Sequence, residues 1–260
     1  MKLVIIPTYN ECANLEKLLS SIYQSVPDTD ILIVDDNSPD GTGELGDVLS
    51  AGQYSNRLFV VHREGKLGLG TAYIAGFKWA LARNYQYIVE MDADLSHNPK
   101  YLPQFFAAIQ RCDLVIGSRY VSGGGVCNWG WARKLISKGG SLYSRFILGV
   151  PVNDLTGGYK CFRREVLETL DLEAIQSVGY SFQIEMTYRT FLQGFSIREI
   201  PIVFENRECG QSKMSGNIFG EALIMIPGLR LAKQRIIRQR KYLPPTPQIC
   251  DGILPMERRP

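Results

Sequence analysis

Tyr87-Ile88-Val89-Glu90-Met91-Asp92-Ala93-Asp94 begins as a buried-strand pattern and ends in two carboxylates. Aspartate is a poor strand former, so the pair marks the strand's carboxyl end. In an open α/β sheet, ligands bind at that end. Residues two apart on an extended chain point to the same side, so Asp92 and Asp94 can converge on one point. Two close carboxylates repel each other unless they hold a cation or share a proton. Magnesium or manganese, bound by one or two carboxylates plus substrate phosphates, fits that need. The same spacing also fits a solvated turn, and the rest of the chain must decide.

The surrounding pattern alternates strand and helix with short connections. Leu3 to Ile6 reads as a buried strand, stopped by the turn Pro7-Thr8-Tyr9-Asn10-Glu11. Leu15, Leu18, Leu19 and Ile22 then fall on one helical face. Asp30 to Val34 is a strand ending in Asp35-Asp36, and a short helix carries Leu45, Val48 and Leu49. Leu58 to His62 is a third strand. A Gly-rich loop, Gly65 to Gly70, leads into a helix with Tyr73, Phe77, Ala80 and Leu81. After the fourth strand come a helix (Leu102 to Ile109), a strand (Asp113 to Ser118) and a loop (Ser122 to Trp131). A helix (Lys134 to Leu148) and a short strand (Tyr159 to Phe162) follow. Arg164 to Leu170 and Ser181 to Leu192 read as helices, Ile197 to Glu205 as one strand, and Arg207 to Ser215 as a polar loop. Ile218 to about Lys241 reads as an amphipathic helix broken near Pro227-Gly228, with a mobile tail from about Leu243. This order predicts an α/β fold, a doubly wound, mostly parallel, Rossmann-like sheet.

Composition narrows the function. A net charge of +3 argues against a nucleic-acid binder, although Arg230, Lys233, Arg235, Arg238, Arg240 and Lys241 crowd one stretch. The six cysteines form no Cys-x-x-Cys pair, and His62 and His97 are the only histidines. A zinc site or disulfide framework is therefore not expected, and reduced thiols fit better. The first strand is neither a signal peptide nor an anchor, and no run of about 18 apolar residues exists. Any membrane contact is expected to be peripheral.

Three strands end in polar clusters that share one sheet edge: Pro7 to Glu11, Asp35-Asp36, and Asp92 to Asp94. Such an edge suits a metal bridging a diphosphate, whose departure the cation assists. The Gly-rich loop either cradles phosphate or simply packs near the sheet. Its spacing is neither Walker A nor the dinucleotide fingerprint. Asp35 and Asp36 fit a ribose or base contact, or a helix-initiating turn. Arg119, Arg207 and Lys213 sit in loops beside small residues and can face phosphates or solvent. Glu185 either lines the acceptor side or pairs with Arg189 four residues on.

The ordered motifs carry a resemblance. Pro7-Thr8-Tyr9-Asn10-Glu11, Asp35-Asp36-Asn37-Ser38-Pro39-Asp40-Gly41-Thr42, Gly68-Leu69-Gly70-Thr71-Ala72-Tyr73 and Asp92-Ala93-Asp94-Leu95-Ser96-His97 resemble glycosyltransferase family 2. Gly117-Ser118-Arg119-Tyr120, Asp154-Leu155-Thr156-Gly157-Gly158 and Gly210-Gln211-Ser212-Lys213 continue the match. Within the family, the likeness is to the dolichol-phosphate (polyprenol-phosphate) mannose synthase branch. The resemblance implies a GT-A fold and transfer of mannose from GDP-mannose to a dolichyl (polyprenyl) phosphate. It implies that Pro7, Tyr9, Glu11, Val34 and Asp36 hold the nucleoside. Asp92, Ala93 and Asp94 would hold the diphosphate, and Asp92 and Asp94 a Mg2+ or Mn2+ ion. Arg119, Arg207 and Lys213 would face phosphates, with Asp92, Asp94, Arg119 and Arg207 central to catalysis. Many relatives have Gln where this chain has Ser96, which leaves a side-chain metal contact there open.

The resemblance also sets residues 1–231 as the catalytic domain, with an amphipathic helix from about 217, and 232–260 as a basic, Pro-containing tail. It implies peripheral work on the cytoplasmic face of a membrane, the endoplasmic reticulum in a eukaryote or the plasma membrane in a prokaryote. Small membrane subunits are expected partners, since the C-terminal membrane helices of some relatives are lacking. The alternatives are another donor such as UDP-glucose, a binding-only nucleotide-sugar protein, or an Asp-x-Asp phosphatase. A polyprenyl phosphate is already anionic, its second pKa being about 6, so single displacement with inversion needs no enzyme base. A lipid acceptor requires contact with a bilayer. Residues 218–241 fit an interfacial helix or one packed on the domain, and the loop with Trp129 and Trp131 fits a cover over the lipid phosphate or a local packing cluster.

Overall fold

The computed structural model describes residues 1–127, 129–175, 177, 179–205 and 225–239. The chain begins β1 (Lys2–Thr8), α1 (Cys12–Ser25), β2 (Asp30–Asp35), α2 (Thr42–Ala51), β3 (Leu58–His62), α3 (Leu69–Leu81) and β4 (Tyr87–Glu90). It continues α4 (Leu102–Ala108), β5 (Leu114–Ser118), β6 (Gly125–Val126), α5 (Trp131–Leu148), β7 (Lys160–Arg163) and α6 (Arg164–Thr169). Then come α7 (Tyr180–Leu192), β8 (Ile197–Pro201), β9 (Val203–Phe204), α8 (helical over 225–231) and α9 (Lys233–Arg238).

The main sheet has the order β3-β2-β1-β4-β7-β5-β8. All pairings are parallel except those of β7, which runs antiparallel to β4 and β5. Strand order reverses between β1 and β4, because the chain first winds outward through β2 and β3 and then returns. A crevice opens at such a switch point, beyond the carboxyl ends of the strands.

The strands read as continuous apolar runs because both faces are covered. Along β1, Leu3 and Ile5 join a core with α3, α6 and α7, while Val4 and Ile6 join the opposite core with α1 and α4. This two-residue alternation places Val34 inside the first core, fully buried. α1 packs through Leu15, Leu18, Leu19 and Ile22, as their helical spacing predicts.

Several boundaries differ from the sequence expectation. The stretch Ile197 to Glu205 is two strands, split at Ile202, and β9 leaves the main sheet to pair with β6. β6 lies where the sequence reads only as loop, since two residues carry no periodicity. α5 starts at Trp131, three residues before the apolar pattern suggests. The chain stays helical through Pro227-Gly228 to 231 and turns at Ala232, while the turn before Pro227 lies outside the described residues. The Ala232 N–H bonds the Gly228 carbonyl, and the Ile236 N–H bonds the Ala232 carbonyl. A proline removes only its own donor and crowds the carbonyl four residues back, so later bonds still form.

The folded unit also runs past the expected boundary at 231. α9 contacts α7, Ile236 is buried, and Gln193 donates to the Ile236 carbonyl at 2.8 Å. Ile226 and Leu229 point into the same core. The described part of the expected interfacial helix therefore spends its apolar face on the domain. Residues 206–224 and 240–260 lie outside the described residues, and with them the rest of that helix and the tail.

Close packing of α3 on β1 gives a test. A Cβ on Gly76 would lie 2.6 Å from Ile5 Cγ2, whereas one on Gly139 in α5 meets nothing within 4 Å. Gly to Ala inside a helix is ordinarily worth about 0.5–1 kcal/mol in favour of folding. Overpacking a core costs about 1–3 kcal/mol. Gly76→Ala is expected to lower the urea midpoint and Gly139→Ala to raise it. Shifts of the same sign would contradict this packing.

Candidate active site

The crevice at the ends of β1 and β4 holds a cavity of about 300 Å³. Pro7, Tyr9, Glu11, Asp36, Asp92, Ala93, Asp94 and Arg119 all line it. The structure thus brings together these eight expected site residues. Val34 is not among the lining residues, because its side chain belongs to the core. Arg207 and Lys213 lie outside the described residues.

The loops after β1 and β2 are laced together. Asp35 is buried and accepts from Thr8 Oγ1 (2.7 Å), the Ser38 N–H (3.0 Å) and Ser38 Oγ (2.6 Å). It shapes the turn and has no side-chain presence in the cavity lining. The Asn10 N–H reaches Ser38 Oγ, and the Glu11 N–H reaches Thr42 Oγ1, both at 3.0 Å. Asn10 and Asn37 make these bends with φ of 57° and 56°, a region asparagine tolerates. Asp36 does line the cavity. Burial pushes its pKa up, and Arg63, whose Nη1 donates to it at 2.6 Å, opposes that rise. The other end of Arg63 donates to Thr71 Oγ1 at 2.7 Å, tying β2 to the start of α3.

The Gly-rich loop contributes Lys66, Gly68 and Leu69 to the cavity, and Lys66 Nζ sits 4.5 Å from the Tyr9 ring centroid. Gly68 takes φ of 99°. Gly70 is there for packing, since a Cβ would lie 2.9 Å from both the Phe182 ring and the Ser177 carbonyl.

Asp92 and Asp94 follow β4. Tyr73 donates its hydroxyl to Asp92 Oδ1 at 3.1 Å. The Ser96 N–H donates to Asp94 Oδ1 at 3.1 Å, and Ser96 Oγ donates to the same oxygen. Ser96 thus orients Asp94. Leu95 is forced to φ of 64°, an uncommon value for a residue with a Cβ, and such strain gathers at functional sites. The Asp92 N–H donates to His97 Nδ1 at 3.0 Å. That bond requires the His97 proton to sit on Nε2. His97 is buried against Tyr159, with ring centroids 4.8 Å apart, and burial lowers its pKa, so it stays neutral.

Arg119, just past β5, is held by Asp154, which is fully buried. Arg119 Nε donates to Asp154 Oδ2 at 2.7 Å and Nη2 to Oδ1 at 2.6 Å, a fork-to-fork pair. Nη2 also reaches Thr156 Oγ1 at 2.8 Å. Glu199 on β8 fixes this turn by accepting from the Asn153 and Asp154 N–H groups at 2.8 and 2.9 Å. Behind Asp92, Glu90 and Lys160 face each other across β4 and β7 in register, both fully buried. Burial raises the Glu90 pKa and lowers that of Lys160. Lys160 Nζ donates to the Gln183 carbonyl and to Gln183 Oε1, both at 2.6 Å, and Gln183 lines the cavity.

Sequence reasoning did not single out His97, Asp154, Lys160 or Lys66. His97 and Asp154 lay inside motif runs without a role. Lys160 had a signal, a charge inside the apolar strand Tyr159 to Phe162. Glu185 proves to be structural: it is buried, pairs with Arg189 at 2.7 Å and accepts from Ser177 Oγ.

Among the described residues, no cluster of three or more His, Cys, Asp or Glu side chains is placed to hold a metal. Two carboxylates oriented by neutral donors fit Mg2+ or Mn2+, which take one or two carboxylates and complete their shell with phosphate and water. Fully protein-made ligation, as for zinc, does not fit.

Comparison with known proteins places this geometry. The family model "Glycosyl transferase family 2" matches residues 3–171. The chain is 52% identical over 225 residues to the polyprenol monophosphomannose synthase of Mycolicibacterium smegmatis, covering 86% of this chain and 84% of that one. It is 51% identical over 230 residues to the undecaprenyl-phosphate mannosyltransferase of Micrococcus luteus, covering 88% and 94%. Among solved structures it shares its fold with glucosyl-3-phosphoglycerate synthase from Mycobacterium tuberculosis in complex with Mn2+ and UDP. There the TM-score is 0.59 at 21% identity, covering 90% of this chain and 78% of that one. A mannosyltransferase from Pyrobaculum calidifontis, in complex with GDP-Man and Mn2+, gives a TM-score of 0.55 at 16% identity, covering 91% and 72%.

The Arg119–Asp154 pair is open to a direct test. Removing one partner of a buried ion pair leaves the other uncompensated, at about 3–5 kcal/mol. Asp154→Ala should cost that much in urea unfolding. The exposed pair Lys78–Glu173 should cost under about 1 kcal/mol on Lys78→Ala. Equal effects would contradict the buried clamp.

Proposed function

The chain belongs to glycosyl transferase family 2, and we propose that it transfers mannose from GDP-mannose to a polyprenyl (dolichyl) phosphate, releasing GDP. The observation that carries this reading is the opening of Asp92 and Asp94 into the same cavity as Arg119, at the sheet's switch point. Relatives at 52% and 51% identity are a polyprenol monophosphomannose synthase and an undecaprenyl-phosphate mannosyltransferase, which supports both the sugar and the lipid phosphate. A GT-A neighbour that holds GDP-Man and Mn2+ supports the donor and the cation.

In this reading Asp92 and Asp94 hold Mg2+ or Mn2+ against the donor diphosphate. The bound cation would neutralise charge on the departing GDP. Pro7, Tyr9, Glu11 and Asp36 form the nucleoside end of the cavity, and Val34 can contribute only through its main chain. Arg119 acts by position, fixed by Asp154 and Thr156 before substrate arrives, so little reorganisation remains for the reaction itself. Tyr73, Ser96 and His97 do the same for the two carboxylates. His97 is no general base, since its Nδ1 is committed to the Asp92 N–H. None is required. The acceptor phosphate is already anionic near neutral pH, its second pKa being about 6, and attacks the anomeric carbon directly with inversion. The enzyme works at a membrane surface, on the cytoplasmic face where nucleotide sugars are available. Among the described residues no helix is long and apolar enough to cross a membrane. Arg207 and Lys213 are assigned to the substrate phosphates on sequence grounds alone.

The test is transfer of labelled sugar to a short polyprenyl phosphate from GDP-mannose or UDP-glucose, with Mg2+, Mn2+ or EDTA. Label should pass from GDP-mannose only and vanish in EDTA. Asp92→Asn and Asp94→Asn should each lower the rate by on the order of 10²-fold or more while leaving the urea midpoint near wild type. Full activity in either variant would overturn the site assignment, and label from UDP-glucose would replace the donor.

A further inference from the structure

α5 is built inside out. Ser137, Ser141, Ser144 and Leu148 mark its inward face. Ser137 accepts from the Tyr120 hydroxyl at 2.7 Å, Ser141 Oγ lies 3.2 Å from Thr156 Oγ1, and Ser144 is fully buried. Tyr143, Ile147 and Leu148 pack on the core, but four other large apolar side chains point out. Trp131 is 79% exposed, Leu135 67%, Leu142 64% and Phe146 84%. Their spacings of four, seven and four residues put them on one stripe of the helix. A soluble surface helix places such residues on the core. Here they form a ridge roughly 22 Å long at 1.5 Å per residue.

The flanks of the ridge carry one sign of charge. Lys134, Lys138 and Arg145 are exposed, and the helix contains no Asp or Glu. The ridge also adjoins the active site. Trp129, next to the residue that caps α5, lines the cavity, as does Thr156, against which Ser141 packs. The apolar stripe, the basic flanks and the adjacent cavity together select one occupant.

We propose that the exposed ridge of α5 (Trp131, Leu135, Leu142 and Phe146, flanked by Lys134 and Lys138) is the surface by which this protein seats on an anionic lipid bilayer. The apolar side chains enter the boundary between headgroups and acyl chains, and the lysines meet lipid phosphates. The mouth of the cavity is then held at the level where a lipid-borne phosphate arrives. The C-terminal helix meets α5 only at its far end, where Arg230 donates to the Leu148 carbonyl at 3.2 Å, and its Ile226, Leu229 and Ile236 are already buried in the domain. The inference rests on the lipid acceptor proposed above and deepens it.

The test is co-sedimentation of the full chain with vesicles of phosphatidylcholine, with and without phosphatidylglycerol. Wild type should bind the anionic vesicles, and added salt should weaken that binding. Leu142→Ser with Phe146→Ser, and separately Lys134→Glu with Lys138→Glu, should each lower vesicle affinity by tenfold or more. Loss of one basic residue near such a surface is worth roughly fivefold. All four positions are exposed, and both variants should keep GDP-mannose binding by calorimetry and transfer to a short, water-soluble acceptor. Trp131 emission should shift to the blue on vesicles, and Trp131→Phe should remove the shift. Equal vesicle binding by wild type and both variants would overturn the proposal, as would absence of binding by wild type. A wild-type dimer that the Leu142→Ser, Phe146→Ser variant makes monomeric would assign the ridge to a second copy of the chain and also overturn it. Failure of wild type to bind GDP-mannose would count against the transferase reading alone, since the vesicle result does not depend on the donor.

Discussion

Crowding of carboxylates at one edge of the sheet is the condition to which the rest of the structure answers. Asp35, the last residue of β2, and the loop residues Asp36, Asp92, Asp94 and Asp154 share one edge of the sheet, and all but Asp92 are buried. A buried carboxylate must be compensated, and each is met differently. Asp35 takes two hydroxyls and an amide, Asp36 takes Arg63, Asp154 takes the fork of Arg119, and Asp94 takes Ser96. Asp92 keeps 30% of its side chain exposed and accepts from the Tyr73 hydroxyl. In the proposed site, a cation from outside the chain completes the charge balance near Asp92 and Asp94. A divalent cation carried with a diphosphate has the right sign, size and ligand preference.

This arrangement also explains why the site is rigid. Arg119 cannot swing, because its guanidinium is shared between a buried carboxylate and a threonine hydroxyl, and Glu199 on a further strand pins that turn. His97, which lines the cavity, accepts from the backbone N–H of Asp92. Residues that resemble catalytic groups by type thus serve as supports. In the proposed reaction the chemistry is left to substrate phosphates, whose nucleophile needs no deprotonation.

Much of this was legible in the sequence, for specific reasons. Buried strands with short crossovers gave the sheet, since the chain had no other way to satisfy its apolar runs. Turn residues at the strand ends gave the edge where eight expected residues meet. What was not legible depended on tertiary placement. The two-residue strands β6 and β9 have no period to detect, and Ile202 separates β8 from β9 without a local signal. Val34 sits in a strand ending, yet alternation turns its side chain into the core. The C-terminal helix and α5 show the limit most clearly. Both combine apolar and basic residues, and composition left the former open between an interfacial helix and one packed on the domain. In the fold the described part of the C-terminal helix buries Ile226, Leu229 and Ile236, and α5 exposes an apolar stripe. The direction a helix faces is set by what packs beside it. The serine stripe of α5 was the sequence clue, and it gains meaning only once Tyr120 and Thr156 are known to lie beneath it.

The central claim is that Asp92 and Asp94 are completed by a cation that arrives with a diphosphate. Calorimetric titration of GDP-mannose into the full chain, in Mn2+ and again in EDTA, tests it most directly. Binding should be at least tenfold tighter with the metal, and an Asp92→Asn chain should show no such difference. Equal affinity in Mn2+ and EDTA would mean that the acidic edge is balanced within the protein, and the account given for it would be wrong.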